Sequence, residues 1–252
     1  MSAALFSLAG RTALITGAGR GIGQALAVGL AEAGADVVLC GRPGSSHGTA
    51  ERLRATGRLA GVVDLDLGDP AAVRASAATL ATRYPVDVLV NNAGVIDRGD
   101  ARDVTAENWS AVLDVDLSSL FFLCQRFGAA MVGRGSGKIV NIASLLSFQG
   151  GLRVVSYAAA KHAVLGVTRA LATEWAPHGV QVNAVAPGYI ATDNTQPLRA
   201  DPVRYRQISE RIPVGRWGTP QDLVGAVVFL AAPASDYVTG QVIVVDGGWL
   251  AR

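Results

Sequence analysis

Short apolar runs alternate along the chain with longer segments whose apolar residues recur at helical spacing. The first part reads TALIT, GIGQALAVGLAEAG, ADVVLC, an amphipathic stretch and LAGVVDLDL, which is the order β-α-β-α-β. The alternation continues through VDVLVNNAG, a helix from about Thr105 to Met131, GKIVNIAS, a helix from about Ser156 to Trp175, VQVNAVAPG and QVIVVDGG. Apolar strands between helices are typical of a parallel sheet covered on both faces. The pattern predicts an α/β fold, a Rossmann-type doubly wound seven-stranded parallel sheet with helices on both faces, in one domain over residues 1–252.

The segment from Tyr189 to Pro213 interrupts this alternation. It is polar, and with Pro187 included it carries four of the chain's ten prolines. Because loops above a rigid sheet commonly close over bound ligands, we expect a loop-helix insertion that serves as a mobile substrate lid. An ordinary surface excursion is the alternative.

Composition narrows the class of protein. Of the 252 residues, 50% are hydrophobic and 17% are charged, which is typical of a tightly packed globular enzyme. The formal charge of +2 comes from dispersed arginines, so we expect no nucleic-acid partner and no membrane partner. The longest late apolar run, LVGAVVFLAA, reaches about half of a bilayer crossing, and the N-terminus lacks a basic region before its apolar stretch. We therefore expect a cytoplasmic protein.

The two cysteines, Cys40 and Cys124, both lie inside apolar runs. Neither has the CxxC or Cys/His spacing of a metal site. We expect reduced core thiols and no metal.

A glycine-rich loop follows the first predicted strand and opens a helix. Glycines at such a turn let the backbone approach a pyrophosphate, while the N-terminus of the helix presents free N–H groups to it. The sequence therefore predicts a dinucleotide site, and its residues here are Gly17, Gly19, Arg20, Gly21, Ile22 and Gly23.

The end of the second strand bears on the choice of cofactor. An Asp or Glu about 20 residues past the glycine loop normally binds the ribose 2′-hydroxyl of NAD. This chain has Gly41-Arg42 there. Arg42 and Arg20 can embrace a 2′-phosphate by charge-assisted hydrogen bonds, so NADP(H) is favoured over NAD(H). The alternative is that both arginines are ordinary solvated residues.

Tyr157 and Lys161 are four residues apart on a predicted helix, so they project from one face. A phenol is a poor base at neutral pH because its ordinary pKa is near 10, but a nearby ammonium and an oxidised nicotinamide favour phenolate. Tyr157 can then exchange a proton with a substrate oxygen. Taken alone, such a pair is common on amphipathic surfaces.

Several motifs in one order resemble the short-chain dehydrogenase/reductase family. They are the GxxxGxG spacing of the glycine loop, Asn91-Asn92-Ala93-Gly94 and Tyr157-Ala158-Ala159-Ala160-Lys161. The resemblance implies that Ser144 hydrogen-bonds the reacting oxygen and that Lys161 also binds the nicotinamide ribose. It further implies cofactor contacts from Asp66, Leu67, Asn91, Ala93 and Gly94 on the adenosine side, and from Pro187, Gly188, Ile190 and Thr192 on the nicotinamide side. Asn91 has an equally supported structural alternative, bridging neighbouring strands, and the Pro187–Thr192 segment can be a plain strand-exit turn.

One position departs from the family's pattern. Where the family usually has a catalytic Asn in a V-N-L-type sequence, this chain has Val115-Asp116-Leu117. The isosteric carboxylate can keep part of that role, since the family's relay water is held largely by the backbone carbonyl there. Its negative charge near Lys161 also dilutes the effect of the lysine on Tyr157. We expect a working Ser144, Tyr157, Lys161 site with Asp116 beside it, and impaired catalysis stays an alternative.

The wall of the substrate pocket in this family corresponds to the segment between Ser144 and Tyr157. Gln149 and Arg153 are polar there, and the planar fork of Arg153 suits a carboxylate. Ser147–Gly151, Ala191–Gln196 and the ending from Asp246 to Arg252 resemble the 2-dehydro-3-deoxy-D-gluconate 5-dehydrogenase branch. That branch implies an acidic deoxy-sugar substrate, common use of NAD and a homotetramer. Arg153 facing a neighbouring subunit is the alternative.

Two other functions fit the same motifs. A 3-oxoacyl-thioester reductase shares them and prefers NADPH, as Gly41-Arg42 favours. A non-catalytic dinucleotide-sensing protein is the reading that Asp116 motivates. Activity on acyl thioesters identifies the first, and cofactor binding without turnover identifies the second.

Overall fold

The computed structural model describes residues 2–252 and contains one sheet of seven parallel strands. The sheet order is β3-β2-β1-β4-β5-β6-β7. This confirms the predicted fold class and strand number. The strands are β1 (Thr12–Thr16), β2 (Asp36–Gly41), β3 (Leu59–Asp64), β4 (Val88–Asn91), β5 (Gly137–Ile142), β6 (Val180–Pro187) and β7 (Val242–Val245).

Helices occupy the connections between the strands. They are α1 (Ser2–Leu5), α2 (Gly21–Glu32), α3 (His47–Ala55), α4 (Pro70–Arg83), α5 (Ala106–Leu113), α6 (Ser119–Arg134), α7 (Val155–Trp175), α8 (Gln196–Ala200), α9 (Pro202–Arg211) and α10 (Val224–Ala231). A π-helical turn, Asp114–Ser118, joins α5 to α6. The two long predicted helices are therefore observed, the first with an irregular turn inside it.

The strands are predominantly apolar because both faces of the sheet are covered. Side chains of successive strand residues point to opposite faces. In β1, Leu14 belongs to the core cluster on one face and Ile15 to the cluster on the other, and neither is exposed. Two apolar cores thus fix the sheet, and the polar residues at its carboxyl edge are left to form a site.

That site lies where the strand order reverses. The chain runs from β1 outward through β2 to β3, and β4 then returns to the other side of β1. The carboxyl ends of β1 and β4 therefore border a crevice, the place where parallel sheets of this kind bind ligands. Gly17 begins one border and Asn92 begins the other, and the Asn92 Nδ2 donates to the Thr16 carbonyl at 2.9 Å.

The continuous helical segment 106–134 is long and apolar enough to cross a membrane by length and composition alone. Its apolar residues have partners in the fold. Leu123, Phe127 and Met131 are at most 1% exposed and pack in the larger core cluster. Packing against the sheet accounts for the composition of this helix.

Candidate active site

The ammonium of Lys161 lies in a buried network. Its Nζ is 3.1 Å from Oδ2 of Asp116 and donates to the Ile142 carbonyl at 3.1 Å. The Lys161 side chain is 4% exposed and the Asp116 side chain is not exposed at all. Burial alone lowers the pKa of Lys161, but the Asp116 carboxylate and Tyr157 together raise it above its ordinary value. Lys161 is therefore held as a cation.

Asp116 lies on the π-helical turn Asp114–Ser118, which joins α5 to α6. A turn of that kind is wider than an α-helical one and is frequent at functional sites. Its Oδ1 accepts the Val95 N–H at 2.7 Å, which ties the turn to the loop after β4. Burial raises the pKa of Asp116, while Lys161 and the Val95 N–H oppose that rise. The structure places Asp116 beside Lys161, in direct contact with the lysine.

Tyr157 and Lys161 share one face of α7, as their spacing predicts. The Lys161 Nζ lies 5.4 Å from the centre of the Tyr157 ring. Tyr157 is partly exposed while Lys161 is buried, so the phenol is the member of the pair that a substrate can reach. The pair is not the exposed surface pair that the sequence left open.

Ser144 stands at the exit of β5 and caps the short 3₁₀ helix Leu145–Ser147. Its Oγ accepts the Leu146 N–H at 3.2 Å. Among the hydrogen bonds of residues 2–252, none has the Ser144 hydroxyl as donor. Its proton is therefore free for a reacting oxygen.

Ser147 is a residue that the sequence analysis did not single out. Its Oγ donates to the Lys161 carbonyl at 2.6 Å and accepts the Ser144 N–H at 3.3 Å. It thereby fixes α7 against the segment that carries Ser144. Its place three residues after the N-cap Ser144 corresponds to the second position of a capping box, where Glu or Gln is usual.

The glycine-rich loop has the close packing that a pyrophosphate cradle needs. A Cβ atom on Gly19 would overlap the Ser45 carbonyl, and one on Gly23 would overlap the Gly17 carbonyl. Arg20 is the N-cap of α2 in an extended conformation, and its side chain caps none of the helix N–H groups. These groups remain available to an anion, so the loop fits the dinucleotide that the sequence predicts.

The polar residues after β4 divide into two roles. The Asn91 Nδ2 donates to Asn141 Oδ1 at 2.9 Å and to Cys124 Sγ at 3.1 Å, and Asn91 is 3% exposed. These contacts favour the strand-bridging alternative for its side chain. Asn92, to which the sequence analysis gave no role of its own, faces the glycine loop instead, and its Nδ2 donates to the carbonyls of Thr16 and Gly17. Ala93 and Gly94 follow on the same border, and a Cβ on Gly94 would be 3.1 Å from Asp116 Oδ2.

At the adenosine end the predicted residues have different surroundings. Arg42 and Asp66 are exposed, and Asp66 Oδ1 accepts the Gly68 N–H at 2.9 Å. Leu67 is buried in the core, and its carbonyl accepts from Ser119 Oγ at 2.7 Å. Its side chain therefore packs the interior. Arg20 is also exposed, but its Nη1 lies 2.8 Å from Asp193 Oδ2 rather than beside Arg42.

The segment after β6 lies against the glycine loop. The Gly188 N–H donates to the Val245 carbonyl, and Ile190 forms a parallel bridge with Gly218. Thr192 caps the 3₁₀ turn Asp193–Thr195, and a Cβ on Gly21 would contact its methyl group at 3.6 Å. This proximity is what the predicted nicotinamide contacts require, although a plain strand exit can share it.

The two polar residues of the predicted substrate wall make different contacts. The Gln149 Oε1 accepts from Trp249 Nε1 at 3.3 Å. Arg153 is exposed and has φ of +61°, which is uncommon for a residue other than glycine. Its carbonyl accepts the Gly99 N–H at 3.1 Å, so the loop after β4 lies beside it.

The segment from Tyr189 to Pro213 is the loop-helix insertion that the sequence predicts, with α8 and α9 inside it. Ile208 and Ile212 are buried in a third apolar cluster with Trp217 and Trp249. Ile190, near the start of the segment, is also buried, whereas residues 191–207, which include α8, contain no buried residue. The two ends of the segment are therefore anchored, and any lid motion belongs to the residues between them.

Both cysteines are buried and free, as expected. Burial raises the pKa of Cys40 and of Cys124 to about 12. Since the thiolate is the reactive form, these residues are inert core groups.

Known proteins are similar to this chain in sequence and in fold. A 2-dehydro-3-deoxy-D-gluconate 5-dehydrogenase of Bacillus subtilis (strain 168) is 53% identical over 247 residues, covering 98% of this chain and 97% of that protein. A Beutenbergia cavernae structure, provisionally named an NAD(P) dependent gluconate 5-dehydrogenase with NADP at low occupancy, is 54% identical with a TM-score of 0.96, covering 98% and 100% of the two chains. The gluconate 5-dehydrogenase of Burkholderia cenocepacia J2315, solved with NADP and tartrate, is 40% identical with a TM-score of 0.95 over 100% of both chains.

A family model described as Enoyl-(Acyl carrier protein) reductase matches residues 17–250, nearly the whole chain. The match begins at the glycine loop and includes the strand-five serine and the Tyr157–Lys161 pair. The resemblance drawn from the motifs is thereby confirmed. The chain belongs to the short-chain dehydrogenase/reductase family and is an NAD(P)-dependent oxidoreductase.

Proposed function

We propose that this protein interconverts a secondary alcohol and a ketone on a keto-deoxy sugar acid, as a 2-dehydro-3-deoxy-D-gluconate 5-dehydrogenase does. The observation that carries the reaction type is the partly exposed Tyr157 above the buried cation of Lys161. The substrate class rests on the 53% identity to the Bacillus subtilis enzyme over nearly the full length of both proteins.

Tyr157 acts as the general acid in reduction and the general base in oxidation. Its hydroxyl gives a proton to the substrate oxygen or takes one from it, and the Lys161 ammonium stabilises the phenolate that results. Ser144 donates a hydrogen bond from its hydroxyl to the same oxygen and stabilises the negative charge that develops there. The nicotinamide, when bound, supplies or accepts the hydride.

Lys161 has a further N–H to offer. Of its three protons, one is directed to the Ile142 carbonyl and one to Asp116. The third suits the hydroxyls of the nicotinamide ribose, so the same lysine holds the cofactor and tunes Tyr157. Asp116 keeps Lys161 charged and immobile, at the cost of partly cancelling its field at the phenol.

The cofactor preference that we propose is NADP(H) over NAD(H). β2 ends at Gly41, and the next residue is the exposed Arg42 rather than a carboxylate. A 2′-phosphate beside Arg42 gains a charge-assisted hydrogen bond that NADH does not make. Two of the similar solved structures described above contain NADP.

The substrate carboxylate is assigned to Arg153. Its left-handed backbone costs conformational energy, and such strain concentrates at functional sites. Gln149, held by Trp249, supplies an amide for the sugar hydroxyls. Together the two groups favour an anionic, hydroxylated substrate over a fatty acyl chain.

We also propose a cytoplasmic homotetramer. Buried, unoxidised thiols suit a reducing compartment. The homotetramer is what the resemblance to the 2-dehydro-3-deoxy-D-gluconate 5-dehydrogenase branch implies. Light scattering after gel filtration tests the assembly.

One experiment separates the candidate functions. The protein is assayed in both directions with NADP(H) and with NAD(H), on 2-dehydro-3-deoxy-D-gluconate, a neutral deoxy-sugar and a 3-oxoacyl thioester. We expect turnover of the sugar acid, faster with NADP⁺ than with NAD⁺. Reduction of the thioester alone identifies a 3-oxoacyl-thioester reductase. Tight cofactor binding with no turnover of any substrate identifies a dinucleotide sensor.

A further inference from the structure

The guanidinium of Arg20 joins the glycine-rich loop to the first turn of the Tyr189–Pro213 segment. Its Nη1 lies 2.8 Å from Oδ2 of Asp193, and both side chains are largely exposed. Within residues 2–252 this is the one hydrogen bond that the Arg20 side chain makes. An ion pair so exposed contributes little to stability, so its importance depends on what else competes for Arg20.

Arg20 stands between that segment and the loop that carries Arg42. A Cβ on Gly19 would overlap the Ser45 carbonyl, so the 42–46 loop touches the residue next to Arg20. On the other side, Thr192 lies against Gly21. The Asp193 carboxylate already binds this guanidinium, and a 2′-phosphate bound beside Arg42 would be a second anion for it.

We propose that Asp193 is a cofactor-specificity residue that acts by holding Arg20 away from the 2′-phosphate. This inference rests on the proposed cofactor site. Asp193 holds Nη1 of the guanidinium on the side of the Asp193–Thr195 turn, whereas a 2′-phosphate beside Arg42 would need the same side chain on the side of the 42–46 loop. NADPH gains Arg20 only by displacing Asp193, whereas NADH leaves the ion pair intact. Asp193 thus reduces the difference between the binding affinities for NADPH and NADH.

The 3₁₀ turn around Asp193 has other supports, so the carboxylate is not needed for its fold. The Arg98 Nη2 donates to the Asn194 carbonyl at 2.9 Å. The Thr195 Oγ1 donates to the Ile190 carbonyl at 2.7 Å and accepts the Thr192 N–H at 3.1 Å. Asp193→Asn removes the charge and leaves these contacts in place.

The test is equilibrium binding of NADPH and NADH, followed by tryptophan fluorescence, to the wild type, Asp193→Asn, Arg20→Gln and the double variant. We expect Asp193→Asn to increase the affinity for NADPH about two- to fivefold, the range of an exposed ion pair, and to leave the affinity for NADH unchanged. The gain shrinks at high salt, which screens exposed charges. It disappears in the Arg20→Gln background, because Asp193 acts through Arg20.

Glu210→Gln is the matched control. It removes one exposed acid from α9, and no side-chain contact joins Glu210 to Arg20 among the described residues. Both affinities stay unchanged in that variant. Equal tightening of NADH and NADPH by Asp193→Asn overturns the proposal, since it indicates general repulsion of the cofactor. No change for NADPH, or a gain that persists without Arg20, overturns it as well. Because no sugar is present, failure of the proposed substrate leaves this result untouched.

Discussion

The Asp116 carboxylate contacts the Lys161 ammonium at 3.1 Å, and both groups are buried. Lys161 is the lysine of the family's Tyr-x-x-x-Lys motif, so the motif has an acidic neighbour in the interior. With an uncharged residue at position 116, Lys161 would act on Tyr157 as an uncompensated positive charge. Here a negative charge accompanies it. The chain therefore combines an intact proton-transfer pair with a counterion that holds the lysine in place and weakens its field at the phenol.

Asp116→Asn isolates the effect of that charge. Without the carboxylate the pKa of Lys161 falls, since Asp116 is a cause of its raised value, and the field that favours phenolate at Tyr157 grows. We expect faster oxidation at neutral pH, with both limbs of the kcat/KM profile moved to lower pH. Asp114→Asn, in the same π-helical turn, is the control and leaves the profile in place. A slower enzyme whose pH profile does not move shows instead that the Asp116 carboxylate supports catalysis by positioning its hydrogen-bonded neighbours.

Lys161→Ala tests the pair as a structural element. The substitution leaves Asp116 buried without a counterion, which costs about 3–5 kcal/mol of unfolding free energy. The added change Asp116→Asn recovers much of that loss, because an amide needs no counterion. Urea unfolding of the single and double variants measures the difference.

The pH dependence of Lys161→Ala has a defined sign. Burial raises the pKa of Asp116 above its unfolded value, and loss of Lys161 removes an opposing influence. The folded protein then binds the Asp116 proton more tightly than the unfolded chain does. Its unfolding free energy therefore rises as the pH falls from the folded pKa of Asp116 to the unfolded pKa. A single variant as stable as the double variant, at every pH, contradicts the burial of an unpaired charge.

Arg42→Ala addresses the 2′-phosphate. Loss of a charge-assisted hydrogen bond weakens NADPH binding by roughly ten- to a hundredfold, and NADH, which lacks the phosphate, keeps its affinity. Arg52→Ala, an exposed arginine on α3, is the control and changes neither affinity. Equal losses of affinity for the two cofactors, or no loss for either, would show that Arg42 does not bind the 2′-phosphate.

Arg153→Met addresses the substrate carboxylate. The change keeps bulk but removes the fork, so kcat/KM for 2-dehydro-3-deoxy-D-gluconate falls by roughly ten- to a hundredfold, with little change for a small neutral ketone. Arg153→Lys keeps the positive charge, so its kcat/KM for the sugar acid falls less than that of Arg153→Met. If Arg153 instead faces a neighbouring subunit, the Met variant loosens the oligomer and lowers activity on both substrates alike.

The sequence predicts those parts of the molecule that local pattern determines. The seven strands follow from apolar runs, and Tyr157 with Lys161 follows from helical spacing, because each signal lies within a few residues. The π-helical turn at Asp114–Ser118 leaves no such signal, since its apolar pattern suits an α-helix equally well. Asn92 and Ser147 act through backbone carbonyls of Thr16 and Lys161, and only the folded chain brings those partners together.

Asn91 and Arg20 show a different limit of sequence reasoning. A motif places a residue near a ligand without fixing its side chain's partner. The Asn91 amide bonds to the neighbouring strand, and Arg20 to a carboxylate that follows it 173 residues later in the chain. Such partners depend on competition among nearby polar groups, and the sequence does not rank them.

The most direct test of the account is turnover of 2-dehydro-3-deoxy-D-gluconate by Tyr157→Phe, measured beside equilibrium NADPH binding. The Tyr157 hydroxyl acts on the substrate oxygen, so we expect turnover to be abolished while cofactor affinity stays close to that of the wild type. Tyr237→Phe removes a fully exposed hydroxyl and serves as the control with full activity. Substantial residual turnover in Tyr157→Phe would contradict the assignment of Tyr157 as the group that moves the proton.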